Sequence, residues 1–418
     1  MSKNLYMELI GKNAKIASNN LSKLSIKKKN EVLKKFNNYL KKYSKKILSA
    51  NKKDIINAKK NKSQMIDRLK INDEKINQIR KSVNEIIKFN DPIGKILSSW
   101  KRPNGLIIKR ISIPIGVVGV IYESRPNVTA DVASLCFKSG NAVILRGGSE
   151  ALHSNKVLYQ LFKKALKNKN CDVNCVQFIS NKDRNNVDYL LSGMKKYVDI
   201  IIPRGGKNLI KKIQSKSTVP TIGHLEGLCH VYIDKDANLN MASNVIKNAK
   251  MRNFNICGAA ETLLIDKKCL KTHCEIILKS LSQSGCKIIA EKIIKKYFSE
   301  KLKFATEKDW STEYLSPTIS VKSVNGVEDA IRHINKYGTN HTDSIITQNK
   351  KTAKKFLEGI NSSIVIHNAS TQFADGGEFG FGAEVGISTE KLHPRGPVGL
   401  EQLTTYKYIL EGNGQIRK

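Results

Sequence analysis

No apolar run in this 418-residue chain approaches the roughly 20 residues of a membrane span, so a helical membrane protein is excluded. The N-terminal segment MSKNLYMELIGKNAKIA has neither an apolar signal core nor a small-residue cleavage site, and a cytoplasmic location is expected. Paired CxxC spacing is missing among the eight cysteines, Cys136, Cys171, Cys175, Cys229, Cys257, Cys269, Cys274 and Cys286. Cys171 with Cys175, and Cys269 with His273 and Cys274, lack a second half at zinc-like spacing. They read as reduced, mostly structural thiols, and no metal site is expected. The dinucleotide fingerprint GxGxxG is absent. Acidic residues are few: 36 Asp and Glu stand against 73 Lys and Arg, a formal net charge of +37. No RNP-like aromatic strand, helix-turn-helix signal or zinc knuckle interrupts the lysine runs, of which KLSIKKKNEVLKKFNNYLKKYSKK is one. The runs read as solvated helix faces rather than a nucleic-acid surface. A positive field would still draw in anionic substrates and phosphorylated cofactors.

What is present is a 40% hydrophobic chain, enough for two or three cored domains. Residues 1 to about 98 are helical in pattern. Val32, Leu33, Phe36 and Leu40, then Ile47, Ile55 and Ile56, then Ile76, Ile79, Val83, Ile86 and Ile87 recur at helical spacing. Asp91 and Pro92 end that region. GLIIKRISIP, from Gly105 to Pro114, looks like an extended strand pair. From Gly116 the texture turns α/β. Strands are expected at 117–121, 140–145, 176–179 and 198–202, alternating with helices at about 129–138, 154–166 and 187–191. Glycine loops follow two of these strands: Arg146, Gly147, Gly148 and Ser149, and Pro203, Arg204, Gly205 and Gly206. This is the pattern of a doubly wound parallel sheet that binds a nucleotide. A second α/β unit follows, with strands at 229–234, 318–324, 344–347 and 363–367 and a helix at about 238–250. Residues 376–399 are too rich in glycine for a helix and suit an active-site loop. The chain closes on an alternating strand, 403–410, with no obvious partner.

MRNFNICGAAETLLID, from Met251 to Asp266, carries the chemistry. Cys257 sits against a glycine and two alanines, just before a strand-like run. A thiol that attacks a carbonyl carbon needs small neighbours and backbone N–H groups free to receive the oxyanion.

The blocks GVVGVIYESRPNVTADVASLCFKSGNAVILRGGSEA, DIIIPRGGKNLI, VPTIGHLEGLCHVYID, CGAAETLLID, INKYGTNHTDSIIT and NASTQFADGGEFGFGAEVGISTEKLHPRGPVGLEQLTTYKY occur in order. Together they resemble the glutamyl-phosphate reductases of proline biosynthesis, in the aldehyde dehydrogenase superfamily. The resemblance implies an α/β, aldehyde-dehydrogenase-like fold: a Rossmann-type cofactor domain, an α/β catalytic domain and a small oligomerisation element. The expected domains are 1–235, with N-terminal helices, the NADP-binding domain and an oligomerisation hairpin at about 104–114; 236–400, holding the nucleophile; and a C-terminal oligomerisation strand, 401–418.

The resemblance also implies roles. Cys257 would attack the acyl phosphate of L-glutamyl 5-phosphate and form a thioester. Asn127 would join the backbone N–H of Cys257 on the oxyanion. Arg146 matches a superfamily lysine that contacts the adenosine ribose. Ser149 stands where NAD-preferring relatives carry a glutamate, which leaves room for a 2′-phosphate and implies NADP(H). Gly147 and Gly148 belong to the same cofactor loop. Pro203, Arg204, Gly205 and Gly206 would lie near the pyrophosphate and nicotinamide, and Glu313 would hold the nicotinamide ribose.

One departure bears on mechanism. Hydrolytic aldehyde dehydrogenases carry a general-base glutamate a little over thirty residues before the cysteine; that spacing falls here on His224 of HLEG. A missing water-activating carboxylate suits an enzyme whose thioester exchanges with phosphate. His224 could contact phosphate, shift protons or pack, and Glu226 keeps hydrolysis open as an alternative. For the substrate's anionic groups the candidates are Arg125, Lys250, Arg252 and Arg395, and for its ammonium Glu384 and Asp375. A homo-oligomer and functional coupling to a glutamate kinase are the expected partners.

Overall fold

The computed structural model describes residues 3–63, 66–181, 183–392 and 394–417. Residues 1, 2 and 418, at the ends of the expected domains, lie outside them. Two compact units form. The first comprises Met1–Gly223, Gly380–Gly386 and Val398–Lys418, and the second His224–Phe379 and Ile387–Pro397. The return of two C-terminal segments to the first unit has no counterpart in the sequence patterns.

Apolar spacing builds the helices at the start of the first unit. Helix Ile26–Lys42 buries Val32, Leu33, Phe36, Tyr39 and Leu40, and helix Asp73–Lys88 buries Ile76, Ile79, Val83 and Ile86. The latter is capped by Asn72, whose side chain accepts from Lys75 N, and carries Asp73 and Glu74 in its first turn, where carboxylates favour the helix dipole. Helix Ser44–Lys60 departs from expectation. Its inward stripe is Ile47, Ala50, Asn51, Asp54 and Ala58, and Ile56 is exposed. Asp54 faces inward because it caps helix Leu152–Asn168: its carboxylate accepts from His153 N, Ser154 N and Ser154 Oγ at 2.7–3.0 Å.

The sheet of the first unit runs in the order Val176–Phe178, Ala142–Gly147, Val117–Tyr122, Ile200–Arg204, all parallel. Every residue of VVGVIY is buried, as a central parallel strand covered on both faces requires. Each fully buried Val, Leu or Ile contributes about 1.5–3 kcal/mol.

A separate antiparallel sheet corrects the expected strand pair. Ile107–Pro114 is one strand, and its hairpin partner is Ile96–Lys101, which starts within the last residues of the expected helical region, 1 to about 98. The terminal strand, Thr404–Glu411, finds its partner here and pairs along the whole of Ile107–Pro114. Ile96, Leu97, Trp100, Tyr406, Tyr408 and Leu410 are exposed on this sheet.

The second unit holds a wholly parallel sheet. Its order is Lys303–Phe304, Lys287–Ala290, Thr318–Val324, Ala260–Asp266, Cys229–Ile233, Thr342–Ile346, Ile364–His367. The two edge strands Lys303–Phe304 and Lys287–Ala290 lie outside the expected strands. Among the described residues of 376–399 the strand pieces are two residues long, Ile387–Ser388 and Gly396–Pro397. Among the described residues no helix is long and apolar enough to cross a membrane.

Candidate active site

In the second unit, Cys257 lies in the turn between helix Leu239–Met251 and the buried strand Ala260–Asp266. It is part-exposed, whereas the seven other cysteines are buried. Burial pushes the thiols of Cys269, Cys274 and Cys286 up to about 12 and that of Cys229 well above its ordinary value. Those thiols stay protonated and inert.

Three layers fix Cys257. Gly227 presses against it from HLEG: a β-carbon at Gly227 would fall 2.2 Å from the Cys257 carbonyl oxygen and 2.6 Å from its Cβ. The Cys229 S–H donates to that same carbonyl at 3.1 Å. Gln372 ties the preceding turn, its Nε2 donating to Ala249 O and Asn253 O while its Oε1 accepts from Arg252 Nε. Arg252, a candidate for substrate anions, is thus spent in part on holding the loop. Glu313 stands beside it, with Oε1 accepting from Gly227 N at 2.8 Å.

Two histidines share the site. Nδ1 of His224 lies 2.8 Å from Ile387 O; a carbonyl only accepts, so Nδ1 carries a proton. His341 stacks edge-on to His224, with ring centroids 4.8 Å apart. It is fully buried, its Nδ1 contacts Thr342 Oγ1 at 2.9 Å and Cys229 Sγ at 3.5 Å, and its Nε2 has no partner. Ring nitrogens of both histidines and the Cys257 sulfur lie within 4.8 Å of one another. His341 was not singled out from sequence, although it sits inside the block INKYGTNHTDSIIT; a histidine buried just before a parallel strand was the signal.

Lys250 is not available to substrate. Its ammonium is fully buried and bonded to Glu261 at 2.5 Å. Arg395 holds Asn361, donating to its backbone oxygen at 2.6 Å. Asp375 closes a turn on Gly377 N. Of Cys269, His273 and Cys274, His273 bonds to Ala237 O and Thr272, and Cys269 donates to Asp266 O.

In the first unit, Arg146, Gly147, Gly148 and Ser149 stand at the end of strand Ala142–Gly147, with Ser149 exposed and opening a short 3-10 turn. Arg146 Nη1 donates to Gly147 O. A β-carbon at Gly147 would fall 2.2 Å from Asn155 Nδ2, so any other residue here would have to displace the Asn155 side chain of the following helix. Pro203 and Arg204 end strand Ile200–Arg204, and Gly205 and Gly206 lead into helix Lys207–Lys216. Gly206 N donates to Glu123 at 2.8 Å. Arg204 reaches Glu384 and Val385 through their backbone oxygens and pairs with the Glu384 carboxylate at 3.3 Å, so Glu384 is already balanced by a cation. Asn127 opens helix Asn127–Lys138 and donates Nδ2 to Asp131, whose carboxyl burial pushes up to about 6. Arg125 is part-buried in the loop just before that helix.

The aldehyde dehydrogenase family model matches residues 6–286 and 305–409. A gamma-glutamyl phosphate reductase of Bartonella quintana is 47% identical over 413 residues, 98% of this chain and all of the relative; one of Brucella suis is 47% identical over 414 residues, 98% of each chain. The crystal structure of gamma-glutamyl phosphate reductase from Thermotoga maritima superposes with a TM-score of 0.95 at 40% identity, covering 99% of this chain and all of that one. An acetylating aldehyde dehydrogenase from Geobacillus thermoglucosidasius, 18% identical with a TM-score of 0.72 over 99% of this chain and 98% of its own, shares the fold. With the fold, the thiol-bearing turn and these likenesses in agreement, the chain belongs to the aldehyde dehydrogenase family and, within it, to the gamma-glutamyl phosphate reductases.

Proposed function

We propose that this chain reduces L-glutamyl 5-phosphate to L-glutamate 5-semialdehyde and phosphate with NADPH, the second step of proline biosynthesis from glutamate. The observation that carries the reading is the state of Cys257: the one part-exposed thiol of the eight, held by its carbonyl and flanked by two histidines. The Cys257 thiolate attacks the acyl carbon, and phosphate leaves with the C–O bonding pair, giving a thioester. A thioester accepts hydride more readily than a carboxylate or an amide, which is why sulfur suits the task. The backbone N–H of Cys257, and the side chain of Asn127 as the family resemblance assigns it, stabilise the oxyanion. Collapse of the reduced adduct releases the aldehyde and returns the thiolate. His224, in the place of a hydrolytic general base, offers an imidazole rather than a carboxylate, its Nδ1 donating to the Ile387 carbonyl. It carries no fixed negative charge to repel the departing phosphate.

The glycine loops at the ends of two parallel strands fit a dinucleotide, as open α/β sheets bind such ligands at strand carboxyl ends. Arg146, Gly147, Gly148 and Ser149 would hold the adenosine end, Pro203, Arg204, Gly205 and Gly206 the pyrophosphate, and Glu313 the nicotinamide ribose. When bound, NADPH supplies the hydride. Exposed Ser149 beside Arg146 favours a 2′-phosphate over a 2′-hydroxyl. The exposed apolar side chains and open edges of the three-stranded sheet support a homo-oligomer. The lability of the acyl phosphate supports functional coupling to a glutamate kinase, and the site is proposed to work in the cytoplasm.

The test couples the protein to a glutamate kinase with glutamate and ATP and follows NADPH. Oxidation that requires all of these and Cys257 supports the reading. Oxidation without kinase or ATP, or in Cys257→Ala, contradicts it.

A further inference from the structure

We propose that Cys257, His224 and His341 form a zinc-binding site, and that a bound zinc ion holds the enzyme in an inactive state. The donor set is one sulfur and two imidazoles, a combination zinc takes readily when the thiol is ionised. Bonds of about 2.0–2.3 Å at tetrahedral angles place donor atoms roughly 3.3–3.8 Å apart. The donors now lie within 4.8 Å of one another, so closure takes a shift of at most about 1.5 Å between side chains.

A second, independent observation points the same way. His341 is fully buried, yet its Nε2 has no partner, an arrangement costly unless something pairs with that nitrogen. The outer nitrogens are arranged as in metal-bound histidines. His224 donates Nδ1–H to the Ile387 carbonyl, and the Nδ1 of His341 rests on Thr342 Oγ1. Three protein donors leave a fourth position for water or an anionic oxygen. No redox partner is needed: zinc replaces the thiol proton, which passes to solvent, and a Zn–S bond forms.

The consequence for turnover rests on the proposed role of Cys257. The lone pair that binds zinc is the one that attacks the acyl phosphate, so the two states exclude each other. Acylation of the sulfur in turn removes the zinc ligand.

Cobalt tests the site directly. The full-length enzyme, freed of metal with a chelator and dialysed, is titrated with Co²⁺, and the thiolate-to-cobalt charge-transfer band is followed in the near ultraviolet. The expected result is one ion per chain, bleaching of the band by Zn²⁺, no band in Cys257→Ser, and at least tenfold weaker binding in His341→Gln and His224→Gln. Thermal melting establishes that each variant is folded; if buried His341→Gln is not, the part-exposed His224→Gln carries the test. A band that survives in Cys257→Ser, no band at all, or unchanged affinity in folded histidine variants overturns the proposal. A Cys257-dependent band in protein that lacks reductase activity upholds the metal site and overturns only the catalytic reading.

Discussion

Gly227 and Cys257 touch backbone to backbone, and a β-carbon at 227 would fall 2.2 Å from the Cys257 carbonyl oxygen. The turn that carries Cys257 is thus shaped by a residue thirty positions earlier, in the loop that also presents His224. Gly227→Ala pushes the turn aside. A misplacement of about 1 Å at a reacting centre costs on the order of 100-fold in rate. The expected outcome is a fall of that size in kcat/KM, with NADPH affinity, measured by fluorescence titration, unchanged.

The contrast between Cys257 and the seven buried cysteines makes a second expectation. Native protein should react with a thiol reagent in one fast equivalent and lose activity in step. Cys257→Ala should show no fast equivalent, and the remaining thiols should react only on unfolding. Burial keeps them protonated, and a thiol is a far weaker nucleophile than a thiolate.

The buried pair Lys250 and Glu261 underpins the strand that leads away from Cys257. Burial raises the Glu261 carboxyl to about 7 despite its lysine partner. A raised folded-state value means that the unfolded chain gives up this proton first as pH rises. Stability therefore falls between about pH 4.5 and 7 on this group's account. Lys250→Met leaves the carboxylate alone, at a cost of about 3–5 kcal/mol near neutral pH. The decline should then continue above pH 7. Denaturant midpoints at pH 5, 7 and 8 for wild type and variant check both statements.

Ser149→Glu restores the carboxylate that the resemblance associates with NAD preference. Beside a 2′-phosphate it repels, and beside a 2′-hydroxyl it accepts a hydrogen bond. KM for NADPH should rise at least tenfold while that for NADH holds or falls, a reversal readable from initial rates with the two cofactors.

Much of this architecture was legible in the residues. Strand Val117–Tyr122 reads directly from its apolar run, and helix Asp73–Lys88 from the spacing of Ile76, Ile79, Val83 and Ile86. Other parts depend on contacts between segments remote in sequence. Ile56 looks like a core residue until Asp54 is seen capping the helix at His153, which turns the face by one position. ILSSWK has too little alternation to announce a strand, and only pairing with Ile107–Pro114 makes it one. Cys257 stood out by its small neighbours, and His224 by spacing. His341 did not, because it joins them only through parallel pairing of Thr342–Ile346 with Cys229–Ile233. The same pairing explains why a sequence without zinc-like spacing nevertheless gathers a cysteine and two histidines.

The most direct test of the account runs the reaction backward. Purified protein is given glutamate 5-semialdehyde and NADP⁺, with and without inorganic phosphate, and NADPH formation is compared between wild type and Cys257→Ala. The account expects NADPH only when phosphate and Cys257 are both present. Equal turnover without phosphate would contradict it and mark a hydrolytic enzyme, and turnover in Cys257→Ala would remove the nucleophile from its centre.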